Sequence, residues 1–369
     1  MPEVHELVVG PVTCHCWNGD RTKFAMSPNN SEVRIYAKKG SKWEVEHVLK
    51  EHGQRVTGMD WAPKSDRLVT CAADRNAYVW TFTGKEWKPS LVILRINRAA
   101  TVVRWSPLEN KFAVGSGARL ISICYFEKEN DWWVSKHIKK PVRSTILSID
   151  WHPNNYLIAI GTCGFKARVF SAYVKEIEEK PGSTCWGKKM NFGACMAEFS
   201  NGGGGWVHSV SFSPSGNKLA WVGHDASISV VNQANEQTTV VKHQYLPYLA
   251  CLWVTENSLV AAGYDCYPVL WSHDDAGKLT YINKLDQMEK KAAGYVSAMD
   301  KFKGLDKRAR EGKEDVTIDS THQNAITQIA LHSGTRDSIT KFSTTGGDGR
   351  LVIWDCKSLE ASIAGLKFQ

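Results

Sequence analysis

The chain has 369 residues, of which 43% are hydrophobic and 23% charged, and its formal net charge is +8 at pH 7. This composition is ordinary for a soluble globular protein, and no stretch reaches the roughly 18 apolar residues that a membrane-spanning helix requires. The positive charge permits an acidic protein, nucleic acid or an anionic membrane surface as a partner, and it selects none of them.

Four tryptophans mark a repeat in the first part of the chain: Trp17, Trp61, Trp105 and Trp151. They lie about 44 residues apart in similar surroundings, which indicates one supersecondary unit copied along the chain. Short apolar or alternating runs between Gly, Asn, Asp and Pro turns predict four strands in a unit. Because such a unit cannot bury its own faces, we expect the units to close into a ring.

The predicted strands fill seven units in chain order. By residue number they are 12–17, 23–26, 32–36 and 43–49; 56–61, 68–73, 77–82 and 87–94; 101–105, 111–115, 120–126 and 132–138; 145–151, 157–162 and 166–172; 207–212, 219–222, 227–231 and 238–242; 248–254, 259–262, 267–271 and 279–284; and 325–331, 339–343 and 350–354. An orphan apolar strand at 4–9 would complete the three-stranded last unit and cover its exposed edge. We therefore predict an all-β fold, a single seven-bladed β-propeller over residues 1–369 that is closed by its N-terminal strand.

Three units carry an Asp six residues before a Trp, in the pairs Asp74 and Trp80, Asp265 and Trp271, and Asp348 and Trp354. With this spacing the chain resembles the WD40 repeat family. In that family a His, a Ser or Thr, the turn Asp and the Trp form a buried hydrogen-bonded set, whose role is structural. The matching residues here are His52, Thr70, Asp74 and Trp80, and then His322, Thr344, Asp348 and Trp354.

Two interruptions lengthen the repeat, and extra length in such arrays often forms binding loops on one face. The first, 173–205, lies between the fourth and fifth blades, and we expect a loop wrapped over the propeller side. The second, 286–321, lies between the sixth and seventh blades. Its apolar and basic residues predict a short amphipathic helix that covers its own propeller or a groove of another protein. The apolar residues are Tyr295, Met299, Phe302 and Leu305, and the basic residues are Lys303 and Arg308.

Several strings that no generic repeat requires make the resemblance more specific. They are DWAP, DRNAYVW, LVILRINRAA, NKFAVGSG, ENDWW and HIKKP, at residues 60–63, 74–80, 91–100, 110–117, 129–133 and 137–141. On these strings the whole chain is similar to the WD-repeat subunits of actin-related protein 2/3 complexes. The resemblance implies a non-catalytic scaffold that supports nucleation of branched actin filaments. It also implies partners, namely the other subunits, the actin filament and nucleation-promoting factors, with the insertion helix directed at actin or an activator.

Six basic residues fall before a blade or in a turn, at positions that the repeat places at one end of the ring. We expect them to form a basic rim that orients an acidic partner as it docks. An alternative function is a WD40 propeller that binds nucleic acid or phosphopeptides through this rim, and scattered solvated charges are the simplest alternative. The rim residues are Arg55, Arg75, Arg98, Lys139, Lys140 and Arg143.

The sequence contains no phosphate-binding loop, nucleophile elbow or zinc-protease motif. Asp60 and Asp150 each precede a blade tryptophan by repeat position, so they are not an acid/base pair. We predict no enzyme activity, cofactor, metal site, nucleic-acid partner or membrane insertion, with a propeller hydrolase as the remaining enzyme alternative. Ten cysteines without a Cys-x-x-Cys pair indicate a reducing compartment. We therefore expect a cytoplasmic protein of the actin cytoskeleton, with the nucleus as a second location.

Overall fold

The structure is a computed structural model, and it describes residues 2–7, 10–40, 42–200, 202, 204–286 and 319–356. Every regular element within these residues is a β-strand, from β1 (Glu3–Glu6) to β28 (Arg350–Asp355). The strands form seven antiparallel sheets of four strands each. The prediction of an all-β, seven-bladed propeller is confirmed.

Blades 1 to 6 each consist of four strands that are consecutive in the chain. In order they are β2 (Cys14–Trp17), β3 (Lys23–Ser27), β4 (Val33–Lys39) and β5 (Lys42–Leu49); β6 (Val56–Trp61), β7 (Leu68–Ala72), β8 (Ala77–Phe82) and β9 (Trp87–Val92); β10 (Ala100–Trp105), β11 (Lys111–Ser116), β12 (Ile121–Glu127) and β13 (Trp132–Ile138); β14 (Ile146–Trp151), β15 (Leu157–Thr162), β16 (Ala167–Ser171) and β17 (Cys195–Phe199); β18 (Val207–Phe212), β19 (Lys218–Gly223), β20 (Ser227–Asn232) and β21 (Gln237–Lys242); and β22 (Tyr248–Trp253), β23 (Ser258–Gly263), β24 (Val269–His273) and β25 (Leu279–Lys284).

The repeated tryptophan at the end of a first strand is buried between neighbouring blades. Trp61 shares a buried cluster with Ile35 of blade 1, and Trp105 shares another with Val79 of blade 2. The indole of each of these tryptophans therefore packs against the preceding blade. Because a buried Trp removes about 150–250 Å² from water, it is a main source of the contact that joins two blades. The spacing seen in the sequence is thus the period from blade to blade.

A β-bulge recurs near the start of the first strand in blades 2 to 7. A bulge increases the local twist and redirects the side chain of its extra residue. In blade 2 this residue is Thr57, whose hydroxyl donates to the carbonyl of Ala100 at 2.8 Å. In blade 3 it is Thr101, which donates to the carbonyl of Ile146 at 2.6 Å. In these two blades the bulge supplies a hydrogen bond to the next blade.

Blade 7 joins the two ends of the described chain. It contains β26 (Ile326–Gly334), β27 (Ile339–Gly346), β28 and then β1 as its outer strand. β1 pairs antiparallel with β28, with Val4 opposite Val352. Closure of the ring by the N-terminal strand, predicted from an orphan apolar segment, is confirmed.

The first long interruption differs from its expected position. The range 173–205 contains β17, which pairs with β16 as the fourth strand of blade 4. The extra residues therefore lie between the third and fourth strands of that blade, and not between blades 4 and 5. β17 is partly exposed and contains a bulge at Met196, so its sequence carries little of the apolar pattern by which the other strands were predicted. The helix predicted within 286–321 falls on residues 287–318, outside the described residues.

Candidate interaction surface

The four motif residues of blade 2 meet in the structure. His52 Nδ1 lies 3.0 Å from Asp74 Oδ2, and His52 Nε2 lies 2.9 Å from Thr70 Oγ1. Trp80 Nε1 donates to the same Thr70 oxygen at 2.9 Å. Asp74 also accepts the backbone N–H of Gly53 at 2.9 Å. These hydrogen bonds connect the turn between β7 and β8 to the loop before β6.

Blade 7 repeats this arrangement. His322 Nδ1 lies 3.0 Å from Asp348 Oδ2, His322 Nε2 lies 2.7 Å from Thr344 Oγ1, and Trp354 Nε1 donates to Thr344 at 2.8 Å. Burial alone would raise the pKa of Asp348, but its hydrogen bonds with His322 and with backbone N–H groups outweigh this and lower the pKa. A carboxylate held in this way is suited to a structural role.

Blade 6 departs from the set because Ala261 stands where the hydroxyl is expected. Asp265 accepts the backbone N–H of Leu246 at 2.9 Å. His243 instead stacks on Tyr248, with ring centroids 4.2 Å apart. Aromatic packing therefore replaces part of the hydrogen-bonded set in this blade.

The central channel has a volume of about 670 Å³, and two of its carboxylates join neighbouring blades. Asp60 Oδ2 accepts the backbone N–H of Trp105 at 2.7 Å. Asp150 Oδ2 accepts the backbone N–H of Phe212 at 2.7 Å and pairs with Arg336 at 2.9 Å. Burial raises the pKa of Asp60 to about 6. These acids hold the inner strands together across blade boundaries.

Three features of the described part of the chain bear on its chemistry. No group of three or more His, Cys, Asp or Glu side chains there is placed to hold a metal ion. None of the ten cysteines forms a disulfide bond within the described residues. No helix with the length and hydropathy to cross a membrane occurs among the described residues.

The six predicted rim residues lie at one end of the ring. In an antiparallel blade, the start of the first strand and the turn between the second and third strands fall at the same end. Arg75 lies in such a turn, and the other five lie in loops that lead into a first strand. All six side chains are exposed, and they are Arg55, Arg75, Arg98, Lys139, Lys140 and Arg143.

The structure separates this rim into two groups. Lys139, Lys140 and Arg143 line a pocket of about 580 Å³, whereas the other three rim residues do not line it. Arg95 and Arg119 also line this pocket, in addition to the residues predicted from the sequence. We call these five residues the basic pocket.

The two missed arginines differ in how readily the sequence would reveal them. Arg119 lies in the turn between β11 and β12, the counterpart in blade 3 of the turn that holds Arg75, so alignment of the repeats would find it. Arg95 follows β9 and donates to the carbonyl of Ser135 on β13 at 2.5 Å. This contact joins two blades, and no local pattern indicates it.

The predicted insertion-helix residues all fall outside the described residues. Their contacts with a partner stay a prediction. The residues concerned are Tyr295, Met299, Phe302, Lys303, Leu305 and Arg308.

The sequence is similar to a protein family model and to several known proteins. The family model described as WD domain, G-beta repeat, matches residues 43–81. "Actin-related protein 2/3 complex subunit 1A-A" of Xenopus laevis is 59% identical, with 99% of this chain and 99% of that protein covered. "Actin-related protein 2/3 complex subunit 1" of Schizosaccharomyces pombe is 42% identical, over 95% of this chain and 98% of that protein. "Actin-related protein 2/3 complex subunit 1B" of Arabidopsis thaliana is 39% identical, over 98% of each.

Proposed function

The chain belongs to the family of actin-related protein 2/3 complex subunit 1, and we propose that it acts within such a complex as a non-catalytic scaffold. The observation that carries this proposal is a likeness that runs through nearly the full length of both chains, in a vertebrate, a yeast and a plant. The scaffold would support nucleation of branched actin filaments in the cytoplasm, as part of the actin cytoskeleton.

The geometry supports a scaffold because several polar side chains of the ring hold neighbouring parts of the propeller together. Asp60 and Asp150 bond the backbone of neighbouring blades. His52 and His322 are occupied in hydrogen-bonded sets. A closed ring of this kind holds its surface loops in fixed relative positions, as a subunit that organises others requires.

Two surfaces are proposed for partners. The basic rim would speed and orient the docking of an acidic partner surface, since exposed charges of one sign act mainly on encounter. The segment that holds Met299, Phe302 and Leu305 would present an apolar face to actin or to an activator. This second assignment rests on the helical spacing in the sequence and on the family likeness.

Affinity purification of the full chain, tagged at one end and expressed in cells that assemble branched actin, tests the proposal. We expect a heteromeric set containing actin-related proteins to co-purify at fixed stoichiometry and to persist through gel filtration. The control is a tagged propeller from another WD-repeat protein in the same cells. Recovery of the folded chain alone, or of the same proteins with the control, would contradict the proposed function.

A further inference from the structure

The basic pocket gathers charge from three separate loops. Arg95 follows β9, Arg119 lies between β11 and β12, and the other three lie between β13 and β14. Five of the ten lining residues are Arg or Lys, and none is Asp or Glu. The whole chain has 46 basic and 38 acidic residues, so a patch of average composition would mix both signs. The pocket is therefore a local concentration of one charge.

These cations lack the counter-charges that neighbouring cations have. None of the five forms an ion pair with another residue in the described part of the chain, whereas Lys136 of the adjacent β13 pairs with Glu176 at 2.6 Å. The pKa of His137 is lowered, first by its burial and in part by the charges of Arg95 and Lys139. The positive field of the pocket thus extends to its neighbours.

The base of the pocket is apolar. Leu120 and Val142 are buried beneath it, and Ile96 is half-buried at its side. The four lysine and arginine side chains that flank this base at Arg119, Lys139, Lys140 and Arg143 are exposed. A matching ligand has a compact body that packs on the base and several anionic groups around it.

We propose that the basic pocket binds a compact polyphosphate, meaning a small molecule with several phosphate groups on one ring or short chain. The five cations surround an open space of about 580 Å³, whereas five neighbouring carboxylates on an extended peptide spread over about 17 Å. A compact ligand therefore places more negative charge next to these cations than an extended peptide does. Each phosphate group carries a charge of about −1.5 to −2 at pH 7, so about three of them balance five cations in this space.

The chemistry of the side chains fits the same ligand. Arginine presents a planar fork of N–H donors that binds two phosphate oxygens at once, and lysine supplies a compact charge. Such a ligand exists free in solution, as an inositol polyphosphate, or as the headgroup of a phosphorylated inositol lipid. Both sources present phosphate groups on an inositol ring to the pocket, and an experiment with vesicles distinguishes them.

Isothermal titration of the full chain with inositol hexakisphosphate at physiological salt tests the proposal. We expect saturable binding at one site. The double variant Lys140→Ala with Arg143→Ala should weaken it at least about tenfold, because two charge-assisted hydrogen-bonding groups are lost. The control, Arg55→Ala with Arg75→Ala, removes the same charge from the same end of the ring outside the pocket, and less than about a threefold change is expected.

Circular dichroism melts establish that each variant is folded. If the pocket variant unfolds, Arg119→Gln replaces it, since this side chain is exposed and its loss removes one cation from the same site. The proposal is overturned if the unmodified chain shows no saturable binding. Equal weakening in the pocket variant and the rim control also overturns it, because that result indicates general attraction to a positive surface. Displacement of the probe by an acidic peptide or duplex DNA more effectively than by pyrophosphate overturns it as well.

Vesicle flotation separates the two sources. One vesicle contains phosphatidylinositol bisphosphate, and the other contains phosphatidylserine at equal surface charge. Retention by the first alone, lost in the pocket variant, supports the lipid headgroup. Binding of the soluble probe without vesicle retention supports the free polyphosphate. Equal retention by both vesicles, without saturable binding of the soluble probe, overturns the proposal.

Discussion

His15 joins the first and last blades through a buried imidazole. Its Nε2 lies 2.8 Å from Ser343 Oγ, and its Nδ1 lies 2.9 Å from Thr345 Oγ1 and 3.1 Å from Gln328 Oε1. Trp17 Nε1 donates to the same Ser343 oxygen at 2.8 Å. These contacts form an inner latch between β2 and blade 7. The latch lies at the point where the ring closes, since its partners are more than 300 residues away in the chain.

Burial lowers the pKa of His15 from its ordinary 6.5 to about 3. Between these values the unfolded chain binds a proton that the folded chain does not, so the free energy of unfolding falls as pH falls from 6.5 toward 3. Each pKa unit corresponds to about 1.4 kcal/mol. Burial also lowers the pKa of His152 and His332 to about 4, so they act in the same direction.

We expect His15→Gln to be less stable than the unmodified chain at pH 7, because the latch is broken. We also expect its free energy of unfolding to decline less steeply between pH 7 and pH 4, because one buried group no longer titrates. Urea denaturation at several pH values measures both effects. His47→Gln, a partly exposed histidine on β5, is the control. A decline as steep as that of the unmodified chain would contradict this account.

Among the elements, the segment between β16 and β17 acts as a strap across three blades. Lys111 of blade 3 is buried, and its Nζ donates to the carbonyl of Ala172 at 2.8 Å and to Glu178 at 2.5 Å. Farther along, Trp186 Nε1 donates to the carbonyl of Gly216 in blade 5 at 2.8 Å. The expectation of a loop wrapped over the propeller side agrees with these contacts. The strap thus adds bonds between blades that the repeat itself does not supply.

We expect Glu178→Ala to cost about 3–5 kcal/mol of stability, because it leaves a buried ammonium without a counter-charge. Burial lowers the pKa of Lys111 to about 8, so this side chain remains protonated at pH 7. Thermal and urea unfolding measure the loss. The double variant Lys111→Met with Glu178→Ala should recover much of it, since no unpaired charge then remains buried.

The matched control for this pair is Glu176→Ala in the same strap. Its partner Lys136 lies 2.6 Å away, but both side chains are about one-third exposed, so a cost below about 1 kcal/mol is expected. Equal losses of stability for Glu178→Ala and Glu176→Ala would contradict the prediction, because they would show that the buried ion pair contributes no more than the exposed one.

The whole molecule is closed in two layers. The outer layer is β1, a strand of four residues that pairs with β28 and has Val4 42% exposed. The inner layer is the buried latch around His15, together with the bond from the backbone N–H of Val12 to the carbonyl of Gly346 at 3.1 Å. The outer strand covers an edge, while the inner contacts join the blades. Removal of the outer layer would therefore expose a sheet edge, whereas removal of the inner layer would separate the first and last blades.

We expect removal of residues 1–7 to leave a folded propeller with a lower melting temperature and a greater tendency to aggregate. The reason is that the edge of β28 loses its partner and becomes available to other chains. Differential scanning calorimetry and light scattering measure the two effects. Val4→Ser is the control, because it keeps the backbone pairing and changes only a partly exposed side chain. Complete unfolding of the shortened chain would show that the inner latch cannot hold the ring.

The sequence by itself determined the blade count, the strand that closes the ring and the members of the hydrogen-bonded sets. These features are periodic: a Trp at a fixed distance from the next Trp, or an Asp six residues before a Trp, is visible without knowledge of distant contacts. The family likeness could also be recognised from short strings such as those at 74–80 and 91–100. Each of these signals repeats along the chain or lies within a few residues.

Tertiary structure alone decided which charges share a site. Arg95, Arg119 and Arg143 lie on three loops whose convergence depends on how two blades pack. The His15 latch and the bond between Lys111 and Glu178 likewise join residues far apart in the chain. Half-exposed β17 belongs with these features, because its place in blade 4 depends on pairing with β16 more than on an apolar pattern. Periodicity reports only the face that a residue occupies, whereas a binding site or a latch requires the positions of distant segments relative to one another.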